Sequence, residues 1–176
     1  MRVALPWLRM KTPTRVLSVL ATVVTLCLGA SGQAVAERAS VDDARGDASA
    51  PGDITSARYM NDQTKVSGRI RLRHLTNGGR FELVAAVPDS DSAFGARVWH
   101  RPDGGVKTRL VFIGNLGVER HPCPQMDAAW RKGRDLVRVS FPRDCIPDMP
   151  NRLYMRSNFK LGQSLDFAPK RVLNRG

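Results

Sequence analysis

From Lys65 to Leu72 the chain reads KVSGRIRL, and its side chains alternate in character with a period of two. Val66, Gly68, Ile70 and Leu72 fall on one side of an extended strand. Lys65, Ser67, Arg69 and Arg71 fall on the other, and Arg73 continues that row. A strand written this way buries one face and wets the other. The pattern recurs. Thr76-Asn77-Gly78-Gly79 is a turn signal, after which Phe81, Leu83, Ala85 and Val87 make the next inward row. Short strands are predicted at Arg97–His100 and Lys107–Ile113, a hairpin at Ala128–Phe141 around Lys132-Gly133-Arg134-Asp135, and a last strand through Leu153, Met155, Ser157 and Phe159. No stretch reads as an amphipathic helix of three turns. About seven to nine short strands, with turn signals at roughly ten-residue spacing, predict an all-β fold, an antiparallel β-sandwich of the immunoglobulin-like or jelly-roll-like kind. Residues 53–176 are read as its single domain.

The first 36 residues read differently. Arg2, Arg9, Lys11 and Arg15 stand without an acid before the apolar run Val16–Ala30, and Ala34-Val35-Ala36 follows. Charged start, apolar run and small-x-small site make the order of a secretory signal, cleaved after Ala36. The alternative is an uncleaved anchor, since Val16–Ala36 is barely long enough to span a bilayer. Ser31, Gly32 and Gln33 favour cleavage, and Leu26 before Cys27 argues against lipidation. The protein is therefore expected outside the cell or at its envelope, with membrane contact only through the signal segment.

Export decides the meaning of the cysteines. With Cys27 removed, Cys123 and Cys145 remain, 22 positions apart. In an oxidising compartment an even pair reads as a disulfide. A zinc site needs more ligands than His121 and the two thiols supply.

Residues 37–52 read as a flexible acidic lead-in, rich in Ala, Ser, Gly and Asp. Beyond it, residues 54–176 carry 22 cations against 11 acids, a net charge of +11. The most specific feature of that excess is the row Arg69, Arg71 and Arg73. Alternate residues of a strand stand about 6.6 Å apart on one side, a pitch at which guanidinium forks can take successive oxyanions. Arg109 is the fourth candidate, if its strand shares the sheet. The plainer reading is a solvated face in an arginine-rich protein, since Arg outnumbers Lys 17 to 5 over residues 54–176. Nucleic acid is not expected as partner, because aromatic side chains for base stacking are few. Trp99, Trp130 and Tyr154 offer either core or a sugar platform.

Asp47 and Asp53 before the first strand, and Asp89 and Asp91 in a turn, are weak calcium candidates. They supply carboxylates on short loops, but Asp is common in turns for its own capping reasons. No cofactor is otherwise implied. His74, His100 and His121 carry no catalytic spacing, and no nucleophile elbow, zinc-protease helix or phosphate loop is present.

The stretches GDASAPGDITSARY, VPDSDSAFGARV, GRDLVRVSFPRDCIPDMPNRLYMRS and LDFAPKR resemble an uncharacterised family of small secreted, chiefly actinobacterial β-sandwich proteins. The shared features are an Asp-rich opening ending in Asp-Ile, an Asp-x-Asp turn, a Pro-x-x-Cys segment and a closing Asp-x-Ala-Pro. More distantly, the opening is similar to carbohydrate-binding and DOMON-type sandwiches. The resemblance implies a sandwich that binds something extracellular and brings no catalytic residues. The short loop at 89–95 and the Asn-free, Arg-rich second strand depart from it. Together these readings favour an exported, non-catalytic module that binds an anionic or carbohydrate polymer. The alternatives are a small secreted hydrolase or a structural module whose partner is another protein.

Overall fold

The computed structural model describes residues 36–49, 51–101 and 103–176; the predicted leader before Ala36, with Cys27, lies outside the described residues. Among the described residues there are twelve strands: β1 (Glu37–Asp42), β2 (Ile54–Asn61), β3 (Lys65–Leu72), β4 (Arg80–Ala86), β5 (Ala93–His100), β6 (Val106–Gly114), β7 (Gly117–His121), β8 (Asp127–Arg131), β9 (Leu136–Pro142), β10 (Leu153–Leu161), β11 (Ser164–Phe167) and β12 (Arg171–Leu173). Single 3₁₀ turns at Lys132–Arg134 and Arg143–Cys145 flank β9. Among the described residues no helix is long and apolar enough to cross a membrane.

Every pairing is antiparallel. The five-stranded sheet has the order β1-β2-β3-β9-β8, and the seven-stranded sheet runs β11-β10-β4-β5-β6-β7, with β12 also on β10. The expected sandwich is thus present, with more strands than the sequence predicted. Four strands went unread, β1, β7, β11 and β12, and β2 was read only by its start, after Asp53. β7 is exposed or half-buried along its whole length, so it has no inward row to read. β11 and β12 hold only four and three residues, and β1 hides in the acidic segment.

β1 also corrects the domain boundary. Glu37–Asp42 pairs in full register with β2, from Glu37 opposite Asn61 to Asp42 opposite Ser56. The first six residues of the predicted flexible lead-in are therefore an edge strand, which buries Val41 in the core.

The predicted alternation of β3 holds residue by residue: Val66, Gly68, Ile70 and Leu72 are buried, and Lys65, Arg69 and Arg71 are exposed. The inner face belongs to one buried cluster with Phe81, Leu83 and Ala85 of β4, Val98 of β5, Phe141 of β9 and Phe159 of β10. Full burial of such side chains stabilises by about 2 kcal/mol each. Gly68 lets the sheets close: a Cβ at this position would stand 2.5 Å from Leu83 Cδ1. Cys123 and Cys145 stand at disulfide distance, S–S 2.01 Å, joining the segment before β8 to the turn after β9.

Candidate polyanion-binding face

The register that builds the core also lines up cations on the outer side of the five-stranded sheet. Arg58 of β2 stands opposite Arg69 of β3, and Arg69 stands opposite Arg138 of β9. Neighbouring strands lie about 4.8 Å apart, so three guanidinium stems rise side by side across the sheet. A shallow groove of about 300 Å³ runs over this row, and Arg38, Lys65, Ser67 and Ser140 also line it. A second hollow of about 170 Å³ continues past Ser40 and Ser56 to Arg71.

The charges are poorly compensated. Arg138 Nη2 donates to Asp127 Oδ2 at 3.0 Å. Among the described residues, Arg58, Arg69 and Arg71 form no salt bridge. Partial burial, and then the charges of Arg58 and Arg71, push the Arg69 guanidinium below its ordinary pKa. An oxyanion in the groove relieves both the desolvation and the repulsion.

Of the residues the sequence pointed to, Arg69 and Arg71 belong to this face. Arg73 lies just past the end of β3, where its N–H donates to the Asp53 carbonyl at 2.8 Å. Its side chain is 4.0 Å from the Asp53 carboxylate and mostly exposed. Arg109 is in the other sheet, with its guanidinium 5.7 Å from the centroid of the Trp99 ring, so it does not join the row. Arg38 and Arg58 were missed. Arg58 was within reach, since it alternates with the buried Ala57 and Tyr59. Arg38 needed the pairing of β1 to place it.

The aspartates divide in the same way. Asp89 and Asp91 sit in the β4–β5 turn, which is closed by the Val87 N–H donating to Ser92 O at 3.0 Å. Asp47 and Asp53 instead meet Asp166 of β11, with one carboxylate oxygen from each lying within 4.8 Å of the others. The opening and closing Asp motifs, over a hundred positions apart, are therefore neighbours. Backbone donors hold them: Gly46 N–H donates to Asp53 Oδ2 at 3.0 Å, and Ile54 and Phe167 N–H donate to Asp166 at 2.5 and 2.7 Å. Burial, and then the Asp166 charge, raise the nearby Asp43 carboxyl to about 6. Burial also raises Asp166. The arrangement clasps β1, β2 and β11 at one end of the sandwich.

The three histidines have different surroundings. His121 Nε2 is 2.5 Å from the Cys145 carbonyl, and the His100 ring packs on Trp130. His74 lies exposed after β3. No family model and no curated protein matches the chain.

Proposed function

We propose that this chain is an exported, non-catalytic module that binds an anionic polymer of the cell envelope or extracellular space through the outer face of its five-stranded sheet. The observation that carries the reading is the in-register row Arg58, Arg69 and Arg138, on three adjacent strands. A like-charged row that only Asp127 partly neutralises opposes folding of the free protein and favours an extended oxyanion partner. Tyr59 is buried beneath this face, so the groove offers charge rather than an aromatic platform, which favours an anionic polymer over a neutral sugar. The leader-like first 36 residues and the cysteine pair at disulfide distance support an extracellular setting.

The test is retention on immobilised dextran sulfate under a salt gradient. Replacing Arg58, Arg69 and Arg138 by Ser is expected to move elution to much lower salt, because binding through phosphate- or sulfate-like contacts is strongly salt-dependent. Replacing the exposed turn cations Arg101, Lys132 and Arg134 by Ser removes the same charge and is expected to move it far less. Equal shifts in the two triple variants overturn the reading and leave only a net-charge effect.

A further inference from the structure

The opposite side of the sandwich carries a second, chemically different cluster of cations. On the outer face of the seven-stranded sheet, Arg80 of β4 stands opposite Trp99 of β5, and Trp99 stands opposite Lys107 of β6. In the next row Glu82 stands opposite Arg97, and Arg97 opposite Arg109. Lys107 Nζ and Arg109 Cζ lie 5.6 and 5.7 Å from the indole centroid. Between Gly79, Arg80, Arg97, Trp99 and Arg109 lies an open pocket of about 360 Å³.

Two features separate this pocket from a merely basic surface. The first is how its single acid is disposed of. Glu82 is buried on the outward side of β4, where Arg97 Nε donates to its Oε1 at 2.5 Å and Asn158 Nδ2 to its Oε2 at 3.3 Å. Gly95 makes the room, since a Cβ there would be 2.8 Å from Glu82 Oε1. Arg97 and Glu82 thus cancel each other and fix the pocket floor. The second feature is unpaired charge. Among the described residues Arg80, Lys107 and Arg109 form no salt bridge.

The pocket therefore offers an indole for an apolar ring face and guanidinium donors for an oxyanion on the same ligand. An inorganic polyphosphate uses the donors and gains nothing from the indole. A neutral sugar uses the indole and leaves the donors unmatched. We propose that the Trp99 pocket is a second binding site, independent of the Arg58–Arg69–Arg138 groove, for a sugar unit carrying a carboxylate or sulfate.

The probe is a short oligogalacturonate, titrated against the full chain while tryptophan fluorescence is followed. In the Arg58, Arg69 and Arg138→Ser variant the signal is expected to persist with little change in affinity. Trp99→Phe is expected to remove most of the signal. Arg109→Ser, an exposed change that leaves the core untouched, is expected to weaken binding about tenfold, the cost of one charge-assisted contact. Loss of the response in the triple variant, or an Arg109→Ser titration identical to wild type, overturns the second site. An equal response to polyphosphate, or to a neutral dextran oligomer, overturns the acidic-sugar assignment. Failure of the groove on dextran sulfate leaves this site standing, because the triple variant tests it alone.

Discussion

Arg58 and Arg69 face each other directly across β2 and β3, on the solvent side of the sandwich. Like charges directly opposite on a sheet destabilise it, and the pair exists in spite of that cost. Arg69→Thr is expected to raise stability by about 0.5 kcal/mol while weakening retention on dextran sulfate. Added salt screens exposed charges, so wild-type stability in urea is expected to rise from low to high salt, and the Arg69→Thr protein to respond less. A variant less stable than wild type at low salt contradicts this account of the face.

Gly68 lies at the same level on the opposite side of β3, where a Cβ would collide with Leu83 Cδ1 at 2.5 Å. Both residues are in the centre of the core, with no exposed route for relief. Overpacking a closed core costs about 1–3 kcal/mol, so Gly68→Ala is expected to lower the urea midpoint by a corresponding amount. Gly68→Ala combined with Leu83→Ala is expected to show a non-additive gain over the sum of the singles, because the second change removes the obstacle.

How far the sequence reached depends on which physical constraint wrote each segment. β3 was legible because one face is wholly buried, so every second residue had to be apolar or small. β7 was illegible because none of its residues is buried and only its pairing with β6 defines it. For the site, periodicity tells which side of a strand a residue occupies. It does not tell which strands are neighbours. Arg69 and Arg71 were therefore found, and Arg109 could be named only on the condition that its strand shares the sheet, which it does not. Arg73 left the row for a local reason: it lies just beyond β3, with its guanidinium 4.0 Å from the Asp53 carboxylate. The Asp47–Asp53–Asp166 meeting depends on β11 lying beside the start of β2, 112 positions away, a contact that no local pattern encodes.

The Cys123–Cys145 link closes a loop that contains β8 and all of β9. For a separation of 22 positions, the chain-entropy model gives about 3 kcal/mol of stabilisation. Because the core spans both sheets, reduction is expected to lower the denaturation midpoint without unfolding the protein. The check is urea denaturation with and without dithiothreitol, followed by mass analysis of alkylated thiols. Unfolding on reduction alone would show that the link is a condition of folding rather than a reinforcement. Two free thiols in the untreated protein would remove the link altogether.

The acidic clasp yields a pH dependence opposite in sign to ordinary acid denaturation. Asp43 has a carboxyl raised from 3.8 to about 6 by burial and by the Asp166 charge, and burial raises Asp166 in the same direction. Between those two values of Asp43 the folded chain binds more protons than the unfolded one. Stability from this group therefore falls as pH rises through the window, is lowest above about 6, and recovers as pH drops toward 3.8. Asp43 is partly exposed, so solvent screening reduces the effect to about 1 kcal/mol. Asp43→Asn keeps an oxygen for the Ala44 N–H, which Asp43 Oδ1 accepts at 3.1 Å. It also removes the charge beside Asp166 and gives that carboxylate a donor. The variant is expected to melt higher than wild type above neutrality, with the two curves converging on acidification. Melting curves that run parallel across the whole range would place the repulsion elsewhere in the clasp.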